Sequence, residues 1–226
     1  MPGEPGVPDQ RRPIAARRWP PAIRAARWLA ARGISPNAVS IAGLVVGIAA
    51  GVALWLTSVT DGAALRAAWL VAAIAVPLRL LANMLDGMVA LEQKRASRVG
   101  ELYNEVPDRF SDAAALIGLG YAAGGDPTLG FLGACGALLV AYIRTMGAAA
   151  GAGHEFCGPM AKPQRMLVVT IIALYGSIAP AAWQPDVGEA GWGLAAWGLV
   201  LIIAGCLWTV GRRLRRMART LREAKP

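Results

Sequence analysis

Two short stretches of this chain set oxygen ligands and charges among apolar residues. Along 79–90, Arg79, Asn83, Asp86 and Ala90 recur every three or four residues and so share one helical face. Along 101–112, Glu101, Asn104, Glu105, Asp108 and Asp112 do the same. Ionisable groups at membrane depth are costly and point to function by default. Carboxylates and amide carbonyls converging in this way suit a hard, oxygen-seeking cation such as Mg²⁺. A carboxylate beside such an ion also serves as base to an attacking hydroxyl. A second reading stands next to this one: Arg79 and Arg109 neutralise the acids in an ion-paired cluster, with Arg79 one turn from Asn83 and two from Asp86 as their counter-ion.

The elements that must carry these faces follow from composition. The chain has 226 residues, 56% hydrophobic and only 16% charged, with a mean hydropathy of +0.46. A soluble domain carries about a quarter charged residues, and a disordered chain is poorer in apolar ones, so both are excluded. Six apolar stretches approach the roughly 20 residues that a membrane span requires: 38–56, 67–90, 100–122, 129–150, 166–183 and 191–210. The expected fold is all-α, a polytopic membrane protein of six transmembrane helices. Residues 1–13 read as a disordered tail without the apolar core of a signal peptide. In 14–33, Ile14, Trp19, Ile23, Trp28 and Leu29 alternate with arginines, which predicts an amphipathic helix in the headgroup plane, broken or kinked at Pro20–Pro21. The helical domain is expected over 34–210, and 211–226 as a basic cytoplasmic tail.

A net charge of +9 and a pI of about 10.3 would suggest nucleic acid in a soluble protein. Here the distribution argues for membrane orientation instead. Of 23 Lys and Arg, seven precede the first stretch, seven follow the last, and Lys94, Arg95, Arg98, Arg144, Lys162 and Arg165 lie around the second and fourth connections. The positive-inside rule then places both termini and the polar cluster on the cytoplasmic side, and the Ala-, Arg- and Gly-rich composition points to a bacterial host and hence its inner membrane. Cys135, Cys157 and Cys206 form neither a zinc pattern nor a disulfide framework. Gly43, Gly47 and Gly51 form a small-residue face for close helix contact, within the bundle or between protomers. Trp19, Trp28, Trp69, Trp183, Trp192 and Trp197 are read as interfacial belt residues. The short connection 92–99 makes the second and third stretches antiparallel neighbours, so that their polar faces meet.

The stretch Asn83-Met-Leu-Asp86-Gly87-Met-Val-Ala90, followed by Gly100, Asn104 and Asp108, resembles the signature D-x2-D-G-x2-A-R-x8-G-x3-D-x3-D of CDP-alcohol phosphatidyltransferases. Every gap is kept. Asp86, Gly87, Ala90, Gly100 and Asp108 match, whereas Asn83 and Asn104 replace two aspartates and Leu91 replaces the arginine. Ser35-Pro36-Asn37-Ala38-Val39-Ser40 resembles the T-P-N-x-x-T/S start of the family's first span, and Pro107–Ala113 its D-R-x-x-D-A extension. Ala141–Arg144 and Gly158–Arg165 are similar to the fourth connection of the phosphatidylinositol-phosphate synthase branch.

The resemblance implies an enzyme of phospholipid biosynthesis that moves a phosphatidyl group from CDP-diacylglycerol, or a similar CDP-lipid, to a small alcohol or polyol phosphate and releases CMP. It implies Mg²⁺ or Mn²⁺, one or two ions, held by Asn83, Asp86, Asn104 and Asp108, with Asp108 also the catalytic base. Gly87, Ala90 and Gly100 would make room for the donor, and Asn37 and Ser40 would hydrogen-bond its CDP group. Two amides in place of aspartates lower the charge of the cradle from −4 to −2, which Glu101, Glu105 and Arg79 are candidates to compensate. Lys94 or Arg95 would stand in for the arginine lost at Leu91. Arg144, Lys162 and Arg165 are candidates to clamp a phosphate on the acceptor, or else plain cytoplasmic anchors. His154, Glu155 and Cys157 are left out of the site. The partners implied are the CDP-lipid donor, the alcohol acceptor, membrane lipids and, by family habit, a second copy as a homodimer; no nucleic acid is expected. Competing readings are a hydrolase, a catalytically impaired lipid-binding or scaffold subunit, and a small transporter.

Overall fold

The computed structural model describes residues 19–94, 98–180, 183 and 191–223, with the backbone alone for 98–104. Arg95, the surroundings of Gly100 and the side chains of Glu101 and Asn104 lie outside the described residues, as do the tail 1–13 and the first part, 14–18, of the expected amphipathic helix. Among the described residues the fold is seven helices and no strand: α1 (Pro20–Ala31), α2 (Pro36–Leu56), α3 (Gly62–Glu92), α4 (Arg98–Gly120), α5 (Pro127–Ala149), α6 (Lys162–Ile178) and α7 (Leu194–Glu223).

Local signals place the starts. Ser35 accepts from the Ala38 amide at 3.2 Å and Pro36 opens α2; Asp126 accepts from the Leu129 amide at 3.0 Å and Pro127 opens α5. Pro20–Pro21 stand where α1 begins, after an extended Trp19. They occupy its first positions, where the missing amide hydrogens would have had no partner. Ala22 and Ala26 of α1 pack beside Met84, Leu85, Met88 and Val89 of α3, while Trp19 and Trp28 stay exposed.

Four helices, α2, α3, α5 and α7, are long and apolar enough to cross a membrane. Six stretches had been expected to qualify. The fourth helix carries the acidic and basic residues of the polar face along its first half, and α6 has only 17 residues. Residues 211–223 continue α7 without a break.

The packing order differs from the expected one. Among the described residues α3 and α4 hardly touch, because α2 lies along both of them. The glycine face makes this close approach workable, and it is used inside the bundle. A Cβ at Gly43 would lie 3.0 Å from the Ala82 Cβ, one at Gly47 3.1 Å from the Arg79 Cγ, and one at Gly118 of α4 2.7 Å from the Gly51 Cα. From α2 the packing runs through α3 to α6 on one side and through α4 to α5 and α7 on the other, and α6 and α7 close the ring. The core includes Leu54, Val76, Leu116, Val169, Leu199 and Ile202. Trp69 belongs to it as well, not to an interfacial belt: it is 4% exposed, and Gly176 opposite leaves the room its indole fills.

Candidate active site

The starts of α2, α4 and α6 and the ends of α3, α5 and α7 come to one end of the bundle, where side chains bridge them. The other end is closed by the Thr57 hydroxyl accepting from the Ala123 amide at 2.9 Å and by Trp192 donating to Asp126 at 3.2 Å. Asp126 is consequently an ion at neutral pH. The Leu129 amide and the Trp192 indole hold its carboxyl below the usual range.

At the bridged end, Asp86 of α3 and Asp108 of α4 are both buried and lie close enough for their charges to repel. They therefore sit on the same side of the molecule. Ser40 at the start of α2 donates to Asp86 Oδ2 at 2.7 Å. Asp108 is the hub. Its Oδ1 accepts from Arg79 and, at 2.7 Å, from the Asn83 amide nitrogen, and its Oδ2 accepts from Lys162 Nζ at 2.5 Å. One turn on, Asp112 accepts from Arg165 Nη2 at 3.4 Å and faces Lys162 at 3.8 Å. Arg79 also donates through Nε to Ser111 at 2.5 Å.

This gathers Arg79, Asn83, Asp86, Asp108, Lys162 and Ser40 into one cluster. Arg79 is not the counter-ion of its own helix, as its spacing predicts. It crosses to Asp108 and Ser111 on α4, over the gap that Gly47 leaves on α2. Arg109 pairs with Glu105 at 3.1 Å and approaches Asp108 at 3.7 Å. Arg144 is set slightly apart, pairing with Glu105 at 2.6 Å. Arg165 is 1% exposed and engaged by Asp112 and the Met160 carbonyl. Asn37 and Leu91 lie outside the buried cluster, and Gly87 and Ala90 are half-buried on the α3 face that carries Asp86.

Sequence reasoning gives no role to Ser111, Thr209 or Arg213, and it names Asp112 on the polar face without assigning it one. Asp112 was on the polar face and in the D-R-x-x-D-A stretch, so its signal was present. Thr209 and Arg213 of α7 had none. Thr209 accepts from the Met160 amide at 3.0 Å, and Arg213 donates to the Cys157 and Val140 carbonyls at 3.0 and 2.6 Å. They strap the connection before α6 onto α7 and so fix where Lys162 and Arg165 begin their helix.

The donor set tests whether a divalent ion suits this cluster. Two carboxylates and an amide carbonyl from neighbouring helices are hard oxygen ligands of the kind Mg²⁺ and Mn²⁺ take. Among the described residues, however, no three His, Cys, Asp or Glu side chains form a metal-holding group. The donors described at this cluster are therefore Asp86, Asp108 and the Asn83 amide oxygen.

Apolar helices of membrane-spanning length holding buried carboxylates against cations at one end are the architecture of a membrane protein with a charged site. The family model described as CDP-alcohol phosphatidyltransferase matches residues 33–210. The chain is 28% identical over 162 residues to an archaetidylinositol phosphate synthase of Pyrococcus horikoshii, covering 70% of this chain and 79% of that one. It is 28% identical over 196 residues to a phosphatidylinositol phosphate synthase of Mycobacterium marinum, covering 84% and 76%. An inner membrane protein of Escherichia coli, YnbA, is 26% identical over 188 residues, covering 83% and 86%. Among solved structures, the Mycobacterium tuberculosis phosphatidylinositol phosphate synthase PgsA1 in complex with manganese and citrate superposes with a TM-score of 0.68 at 22% identity, covering 87% of this chain and 88% of the other. The same synthase with CDP-DAG bound gives 0.67 at 23%, covering 87% and 92%. The chain belongs to the CDP-alcohol phosphatidyltransferase family.

Proposed function

We propose that this protein transfers the phosphatidyl group of CDP-diacylglycerol, or of a similar CDP-lipid, to a small alcohol. The acceptor hydroxyl oxygen forms a bond to the lipid-side phosphorus. The bond from that phosphorus to the bridging oxygen breaks, CMP leaves with it, and the hydroxyl proton passes to Asp108. The observation that carries this reading is the convergence of Asp86 of α3 and Asp108 of α4 on one cation-lined spot at the end of the bundle.

Asp86, Asp108 and Asn83 would hold the divalent ion, with Asn104 from the same motif. When bound, the ion neutralises diphosphate charge that would otherwise resist attack. Arg79 orients Asp108, Ser40 orients Asp86, and the half-buried Gly87 and Ala90 leave the α3 face low for the nucleotide. Asn37 and Gly100 would contact the CDP group, with Glu101 and Glu105 adding negative charge beside Asn104. Arg144, Lys162 and Arg165 form the cationic side of the acceptor pocket, which favours a phosphorylated polyol. Two relatives named as synthases of inositol-phosphate lipids support that choice. In this reading α4 and α6 cross the membrane with the four longer apolar helices and α1 lies at the headgroups, and the Lys and Arg distribution supports a cytoplasmic placement of both termini and the site.

A second reading has its own observation. Both oxygens of Asp108 already bind protein cations, as in a structural cluster that supports a lipid-binding or scaffold subunit. Purified protein with labelled CDP-diacylglycerol, Mn²⁺ and a panel of alcohols separates the two. CMP release with one acceptor, lost in Asp108→Asn, supports transfer; donor binding with no CMP release under any acceptor supports the scaffold.

A further inference from the structure

Lys162 occupies an unusual position. It is the first residue of α6, where the helix end is positive and repels cations, and the first turn of α6 carries no acidic residue to offset this. Its ammonium is nevertheless drawn inward, with a side-chain exposure of 15%. Three oxygens from α3 and α4 surround it: Asp108 Oδ2 at 2.5 Å, Asn83 Oδ1 at 3.3 Å and Asp112 Oδ1 at 3.8 Å. A ring of side-chain oxygens from separate helices around one positive centre is the arrangement of a cation site, and here the cation is covalently attached to the chain.

We infer that Lys162 is a built-in cation, its ammonium standing where a second divalent ion would otherwise bind, so that this protein takes up a single divalent ion. The inference rests on the metal-assisted transferase reading and deepens it. Charge supports it. Asp86, Glu105, Asp108 and Asp112 stand among Arg79, Arg109, Arg144, Lys162 and Arg165, so the cluster carries no net negative charge without metal. A diphosphate diester brings two negative charges, which one divalent ion offsets. Asn83 supports it independently. Its amide nitrogen donates to Asp108 at 2.7 Å while its oxygen accepts from Lys162. An aspartate there could accept from Lys162 but would repel Asp108. The amide at position 83 and the ammonium of Lys162 are thus two halves of one substitution, a neutral ligand matched to a cation of lower charge.

Mn²⁺ binding by the purified, substrate-free protein tests this, with free Mn²⁺ counted by electron paramagnetic resonance. The Asn83→Asp/Lys162→Met variant should take up one more ion per chain than the unaltered protein. Equal counts overturn the inference. The absolute count for the unaltered protein tests the other reading: no bound Mn²⁺ there tells against metal-assisted transfer, whatever the difference shows. Lys162→Met alone guards against loss of the fold in the double variant. It should bind Mn²⁺ at least roughly tenfold more tightly, the least expected from removing a unit charge about 4 Å from a divalent ion even at the dielectric of bulk water. Its thermal midpoint should also rise more on adding Mn²⁺ than that of the unaltered protein. Unchanged affinity with no such rise overturns the inference as well.

Discussion

Arg79→Met isolates what holds α3 and α4 together across α2. Methionine keeps much of the aliphatic stem that lies against Gly47 and removes the guanidinium. Arg79 is 4% exposed and Asp108 10% at the side chain. Breaking a buried pair costs about 3–5 kcal/mol when the remaining charge is left alone. Asp108 is not left alone, because Lys162 and Asn83 still touch its two oxygens, whereas Ser111 loses the Nε donor. The lower end applies, about 3 kcal/mol. In a chain of this size each kcal/mol moves the midpoint about 2–4 °C, so the expected fall is about 6–12 °C, followed by tryptophan fluorescence in detergent. Arg79→Lys should recover only part of it, since an ammonium cannot reach Asp108 and Ser111 in one fork. The decisive measurement is the double-mutant cycle with Asp108→Asn. The two losses should fall short of additivity by about 1 kcal/mol or more. Additive losses, or a fall below about 2 °C for Arg79→Met, would refute the claim that this pair joins the two helices.

Gly118→Val should force α2 and α4 apart, costing about 1–3 kcal/mol and most of the activity, since the obstacle is the Gly51 backbone; Gly43→Ala, which meets only the Ala82 Cβ at 3.0 Å, should be much milder in the same thermal assay. Asp126→Ala should cost roughly 0.5–1 kcal/mol as a lost helix cap. Because the Asp126 carboxyl is held below its ordinary value, its contribution is fully present above the unfolded-state value near 4 and disappears as the pH falls through the lower folded value; a midpoint series from about pH 7 to about pH 3 should show the wild-type advantage vanish at the acid end. Chelation should abolish CMP release, and added Mn²⁺ should restore it without changing helix content by circular dichroism.

Much of the site was legible because helical spacing is a strong constraint. Arg79, Asn83 and Asp86 fall on one face by arithmetic alone, and so do Asp108 and Asp112. What the sequence could not show was the third helix between them. A short connection predicts that α3 and α4 are neighbours, but glycines on α2 permit a closer approach to it than the two make to each other. The same glycines left two uses open, between protomers or within the bundle, and only the packing decides. Trp69 misled for a similar reason: an indole near the end of an apolar stretch reads as interfacial until Gly176 is found opposite it.

The intervening helix also explains why so many long side chains meet at one end. With α2 lying along both α3 and α4, their direct contact is confined to a few side chains such as Asn83 and Asp108, and most of the bridging comes from arginine and lysine. Arg79 spans from α3 to α4, Lys162 from α6 to both, and Arg144 from α5 to Glu105 of α4. Each carries positive charge to a place where an ion would otherwise be the only counter-charge. Replacing acids by amides in the motif is then not a loss of chemistry to be repaired elsewhere. It follows from cations that the bundle geometry already supplies, and it predicts that Asn83→Asp alone, with Lys162 and Arg79 intact, leaves the Mn²⁺ count unchanged.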